Sequence, residues 1–168
     1  IGDYFGKTEL EKVSTDSESF AEVQDETEGR LQKLLGVNGE KSPREYHRDL
    51  GHLLWEDVGM SRNAEGLEHA ISEIRKLRDE YWQNVRVPGE ANYLNKYLEF
   101  AGRIADFLEL GELMARDALH REESCGGHFR EEHQSDEGEA LRRDDEFSYV
   151  AAWEFNGLDR DPSLHKED

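Results

Sequence analysis

Cysteine is nearly absent from this chain: Cys125 is the only one in 168 residues. That excludes an internal disulfide and an iron–sulfur cluster held by the chain's own thiolates, and gives no sign of an oxidising compartment. Basic residues are scarce beside acidic ones, 21 Lys and Arg against 40 Asp and Glu, for a formal net charge of −19. A field of that sign excludes autonomous binding to nucleic acid or to an anionic membrane surface. No apolar run approaches the ~20 residues that cross a bilayer, and no secretory leader is visible, so direct membrane insertion is not expected. The 15 glycines never fall into Gly-x-Gly-x-x-Gly, the turn that lets backbone N–H groups face a pyrophosphate.

What is present is charge and helical periodicity. Charged residues make up 36% and hydrophobic residues 35%, so a lean core must sit inside an ionic exterior, which favours long amphipathic helices over an α/β sheet. At this length one domain suffices, and folding withdraws roughly 70% of the unfolded chain's surface from water. Ile1 stands where an initiator Met would, and the chain stops abruptly at Asp168. The expectation is a segment of a longer protein; proteolytic maturation gives the same ends.

Residues 1–15 lack periodicity and read as a lead-in strand or tail. Asp16 or Ser17 caps a helix with Phe20, Val23, Leu31, Leu34 and Leu35 on one narrow stripe, stopped by Gly36 and Asn38-Gly39. Ser42-Pro43 restarts the chain as a helix with Tyr46, Leu50, Leu53, Leu54 and Val58 on one side. Asn63 caps the next, where Leu67, Ile71, Ile74, Leu77, Tyr81 and Val85 recur until Pro88-Gly89. A fourth helix is predicted from near Asn92 to His120. Its stripe of Leu94, Leu98, Ala101, Ala105 and Leu108 is broadened by Tyr97, Ile104, Phe107, Met114 and Ala118. Short connections predict an all-α, antiparallel up-and-down bundle over 16–120, its last three helices forming the core after an additional N-terminal helix. Residues 121–156 read as an irregular extension with a strand or edge in Phe147–Phe155, and 157–168 as a truncated tail.

The densest information lies in Leu119–His133. Gly126-Gly127 breaks the helix, and Arg, Glu and His crowd an irregular segment whose polar groups need partners. It reads Glu123-Ser124-Cys125-Gly126-Gly127-His128-Phe129-Arg130-Glu131-Glu132, with Arg143-Asp144-Asp145-Glu146 beyond. This run resembles the C-terminal signature of the flavoprotein subunit of succinate dehydrogenase and fumarate reductase, commonly Glu-Ser-Arg-Gly-Ala-His followed by Arg and acidic residues. Cys125 and Gly127 depart from that form. Together with Tyr149-Val150-Ala151-Ala152-Trp153-Glu154 they resemble the branch that pairs with cytochrome b-type anchors. Family-like order extends back through Leu50-Gly51-His52-Leu53-Leu54-Trp55 to about residue 20. L-aspartate oxidase and adenylylsulfate reductase share the helical domain, but the Cys-Gly-Gly-His variant and this ending fit the succinate and fumarate enzymes better.

The resemblance implies a spectrin-repeat-like three-helix bundle. It also implies a parent that interconverts succinate and fumarate at FAD and exchanges electrons with quinone through iron–sulfur clusters. In the family, the flavin domain and the dicarboxylate-handling residues lie upstream, so no catalytic, cofactor or metal residue is carried over to this chain. The implied partners are its own flavin domain, an iron–sulfur subunit and a cytochrome b-type membrane anchor, with the complex peripheral to the cytoplasmic face of the inner membrane. Arg121, Glu123, Ser124, His128, Arg130, Arg143, Asp144 and Asp145 are the candidate docking residues. Their plain alternative is a set of exposed ion pairs that water and salt weaken.

Competing chemistries are weaker. His120, Cys125, His128 and His133 are zinc-ligand types, but their intervals are not the usual paired spacings. Asp49-x-x-His52 and Asp117-x-x-His120 lack the glutamates of a di-iron bundle. Carboxylates beside Cys125 disfavour a reactive thiolate. Trp55, Trp82 and Trp153 read as bundle and interface anchors. A stand-alone helical interaction module remains the alternative to a domain of a larger enzyme.

Overall fold

A computed structural model describes residues 1–9, 14–157 and 160–167. The long helices are α2 (Glu18–Val37), α3 (Pro43–Asp57), α4 (Ala64–Asn84) and α5 (Lys96–His120), after a six-residue α1 (Gly2–Lys7). Two-residue β1 (Ser61–Arg62) and β2 (Phe129–Arg130) pair in parallel, α6 (Asp144–Phe147) follows, and β3 (Val150–Glu154) pairs antiparallel with β4 (Ser163–Glu167).

Local chemistry sets the helix starts. Ser42 and Glu45 form a reciprocal capping box around Pro43, satisfying first-turn amides that have no partner inside a helix. Asn63 accepts from the Gly66 amide, and Asn95 accepts from those of Tyr97 and Leu98. Asn95 also donates to the carbonyls of Pro88 and Glu90, so α5 begins at Lys96 and not near Asn92. Between α2 and α3 the chain turns through Asn38, at φ 46°, a left-handed conformation that Asn tolerates. Gly39 then passes against the end of α4, where a Cβ would meet the Asn84 carbonyl oxygen at 2.1 Å. Its amide donates to Val85, and those of Glu40 and Lys41 donate to Asn84.

The expected antiparallel bundle is the one observed. Tyr81 on α4 donates from its hydroxyl to the Ala101 carbonyl on α5 at 2.6 Å, and Arg78 and Arg75 reach Glu112 further along, so the two helices run oppositely. Tyr46, early in α3, meets Tyr81, late in α4, edge to face at 5.0 Å. Small residues on α5 allow close approach: at Gly111 an added Cβ would touch Leu50 at 3.3 Å. Tyr46, Leu50, Leu67, Ile74, Tyr81, Ile104 and Leu108 fill the centre, with Leu34 of α2.

Several expectations are corrected. Residues 2–7 form a helix, not a strand, and bury nothing. Phe20 and Val23 are exposed because α2 meets the bundle only through its C-terminal half, Leu34 being its one buried residue. Leu94 precedes α5 and is 85% exposed, Tyr97 and Met114 face outward, and Trp55 is 80% exposed on α3, not a bundle anchor. Three helices close a core with one face each, so of the second stripe Ile104 and Ala118 are buried while Tyr97, Phe107 and Met114 stay exposed. The extension after His120 is ordered by β2, α6 and β3, and the stretch read as a tail supplies β4. The predicted strand shortens to Val150–Glu154, with Phe147 in α6.

Candidate functional site

The segment after α5 folds back onto the bundle. Cys125 and His128 exchange backbone hydrogen bonds at 2.8 and 3.1 Å around Gly126-Gly127, with Gly126 at φ 59°, where glycine is the natural occupant. This hairpin sends β2 alongside β1: the Phe129 amide donates to the Met60 carbonyl and the Glu131 amide to Arg62. Ser124 is fully buried. Its hydroxyl accepts from the Arg130 amide at 2.8 Å and donates to the Arg130 carbonyl at 3.1 Å.

Arg130, 3% exposed, reaches the end of α5, where its Nη1 donates to the carbonyls of Ala118 and Leu119 at 2.9 and 3.0 Å. Those are last-turn carbonyls without a helical partner, at the negative end of the helix dipole. Its Nε donates to Glu132, whose other oxygen accepts from the Ala64 amide at the opening of α4. Antiparallel α4 and α5 bring a helix start beside a helix end, so one Arg–Glu pair places the right charge at each. Burial works against the Glu132 carboxylate, yet hydrogen bonds from the backbone and Arg130 hold its carboxyl below the usual range. Glu131 completes the anchor by accepting from Ser61 and Asn63.

Glu123, 1% exposed, joins the two ends of the extension. One oxygen accepts from Arg121 at 2.7 Å and the other from the Arg143 amide at 2.8 Å. Burial opposes its charge, but those two donors keep its carboxyl below the usual range. His128 donates through Nε2 to the Arg121 carbonyl at 2.8 Å, since a carbonyl can only accept. Burial, with the charges of Arg62, Arg121 and Arg130, holds its imidazole pKa below the usual range, against the hydrogen bond to Arg121.

Thus Arg121, Glu123, Ser124, His128 and Arg130 lie together: Glu123, Ser124 and Arg130 are buried, Arg121 and His128 half-exposed, and their contacts fix the segment to the bundle. Arg143 is half-exposed: its Nη2 pairs with Glu146, and its guanidinium lies 5.7 Å from the Phe147 ring. Asp144 pairs with Arg142 in the open, and Asp145 is exposed with no ion pair among the described residues. Sequence reasoning missed Arg62, which donates to the Gly127 carbonyl at 3.4 Å. Its Nε is buried without a partner among the described residues. Arg62 carries no local signal, because its partner stands 65 positions away. Glu131 and Glu132 belong to the signature run, but their partners Ser61, Asn63 and Ala64 stand 68 to 70 positions away.

The zinc-ligand types disperse. His120 Nε2 meets the Tyr149 hydroxyl at 2.8 Å, His128 is spent on Arg121, and among the described residues no three potential ligands converge. Among the described residues, three helix starts are closed to a pyrophosphate. The starts of α3, α4 and α5 are capped by Ser42, Asn63 and Asn95, and Glu132 adds a carboxylate at α4 where a pyrophosphate would need bare amides.

Comparison with known proteins places this geometry. The family described as fumarate reductase flavoprotein C-term matches residues 47–168. One chain of the fumarate reductase (CoM/CoB) of Methanothermobacter marburgensis is 33% identical over 108 residues, covering 64% of this chain and 19% of that protein. The fumarate reductase flavoprotein subunit of Helicobacter pylori is 29% identical over 131 residues, 77% of this chain and 18% of that one. A solved structure of Escherichia coli quinol fumarate reductase superposes with a TM-score of 0.75 at 26% identity, covering 92% of this chain and 26% of that one. The chain therefore spans about a fifth of the length of these relatives.

Proposed function

The chain belongs to the fumarate reductase flavoprotein C-terminal family, and from that membership we propose that it is the helical C-terminal domain of a flavoprotein oxidoreductase subunit interconverting succinate and fumarate. FAD and the dicarboxylate are bound by sequence upstream, and electrons pass to or from quinone through iron–sulfur clusters on another subunit. The contribution of this chain is support. Residues 16–120 form the bundle and 121–156 the extension locked to it, with 1–15 and 157–168 at the margins. The partners are its own flavin domain, the iron–sulfur subunit and a cytochrome b-type anchor, in a complex peripheral to the cytoplasmic face of the inner membrane. No described helix is long and apolar enough to cross a membrane.

Five of the docking candidates act indirectly in this reading, by holding the surface of the extension in one conformation. Arg143, Asp144 and Asp145 remain able to touch a neighbour. The observation that carries the proposal is that the family match covers α4, α5 and most of α3 together with the Ser124–Arg130 and Glu123–Arg143 contacts. Fold does not by itself imply activity, so the test separates the two. The 168-residue chain, purified alone, is expected to show helical circular dichroism, no flavin absorbance and no succinate oxidation. The protein encoded with its upstream sequence is expected to be yellow and active. A yellow, active preparation of the chain alone would overturn the assignment.

A further inference from the structure

The β3–β4 ribbon touches the bundle through a few polar contacts and through Trp153, whose ring meets His120 edge to face at 5.9 Å. Of its ten strand residues only Trp153 and Leu164 are even partly withdrawn from solvent. A two-stranded ribbon is marginal by itself. Its anchors are few. Trp153 Nε1 donates to Asp117 at 2.7 Å, and one oxygen of Asp161 accepts from Arg75 Nη2 at 2.6 Å and from Arg116 Nη2 at 2.7 Å.

Those two guanidiniums are already in place. Buried Glu112 accepts from Arg75 Nε, Arg116 Nε and Arg78 Nη1 at 2.9, 2.8 and 2.7 Å, and Glu109 takes a second contact from Arg78 at 3.1 Å. Three arginines thus face two glutamates, leaving one positive charge that Asp161 neutralises. Between ribbon and bundle lies a cleft of about 330 Å³, with Leu110 and Leu113 on the bundle side and Trp153, Phe155 and Pro162 on the other.

We propose that Asp161 is a latch: the ribbon closes over this cleft when Asp161 bridges Arg75 and Arg116, and swings away when the bridge is screened, while the bundle stays folded. Isolated surface ion pairs contribute little, because two long side chains must be ordered to make them. Here Glu112 has ordered both arginines beforehand, so the bridge costs mainly the ordering of the ribbon. Asp161 is open to solvent, which lets salt reach the bridge. The bundle core draws on none of the ribbon's side chains, so opening need not disturb it.

Hydrogen–deuterium exchange on the 168-residue chain reads the latch directly. At low salt Asp161→Asn is expected to speed exchange in 150–154 and 163–167 by about fivefold, leaving α4 and α5 unchanged. The native chain should approach the same rates in about 0.5 M sodium chloride, and the variant should respond little to salt. Asp161→Glu, which keeps the charge, should restore much of the protection. Ribbon exchange indifferent to both substitution and salt would overturn the latch. So would ribbon and bundle exchange rising by the same factor, since that is global unfolding.

Discussion

Ser124 and Arg130 close a two-bond ring, the serine hydroxyl taking the arginine's amide hydrogen and returning its own to the arginine's carbonyl. Both residues are buried, so water cannot stand in for either bond. Ser124→Ala leaves the buried Arg130 N–H unsatisfied, while the Arg130 carbonyl keeps the His133 amide, and the expected cost is about 1–3 kcal/mol. Urea unfolding followed by circular dichroism measures it. A change within the experimental scatter would show that the ring does not hold the segment.

Arg130 does more than neutralise Glu132, because it also serves two carbonyls at the end of α5. Lysine has one compact ammonium and cannot make the same fork. Arg130→Lys is therefore expected to lose at least half as much stability as Arg130→Met, and the methionine variant about 2 kcal/mol, since it strands the two carbonyls while Glu132 keeps solvent and the Ala64 amide. Near-native stability in the lysine variant would mean that charge alone suffices.

His128 gives a pH dependence with a definite sign. Its folded-state value is depressed from the ordinary 6.5, first by burial and then by three arginines, so the unfolded chain binds a proton more readily. Stability from this group is complete above the unfolded value and is lost as pH falls below about 6.5 toward the folded one. Unfolding measured from pH 8 to pH 5 should show that loss in the native chain and less of it in His128→Gln. Equal pH slopes in the two proteins would refute it.

Gly39 is required by proximity. Gly39→Ala sets a methyl group on the Asn84 carbonyl, and displacing the α2–α3 turn is expected to cost about 3 kcal/mol. Thermal unfolding tests this, with Gly36→Ala as the comparison, because nothing lies within 4 Å of a Cβ at Gly36. Equal effects at the two positions would contradict the account.

Much of the bundle is legible residue by residue. Ser42-Pro43 with Glu45 marks a helix start from four consecutive letters, and Leu67, Ile74 and Tyr81 lie one heptad apart on the buried face of α4. The start of α5 is harder to read. Asn92 and Asn95 are both good caps, and only the reach of Asn95 to Pro88 and Glu90 chooses between them. β4 is harder still. Ser-Leu-His-Lys-Glu carries no strand pattern, and its conformation is imposed by backbone pairing with Val150–Glu154.

The amino-acid order by itself determined the helical class, the bundle's seams and the resemblance carried by Glu123–Arg130, because periodicity, capping and short signatures are local in the chain. Only the tertiary structure decided which charges are buried. Nothing in the sequence marks Arg130, Glu123 and Glu112 as charges that go inside, although the first two stand in the signature run. A charge goes inside only where helix ends, backbone amides or opposite charges meet it, and those partners come from distant stretches brought together by folding.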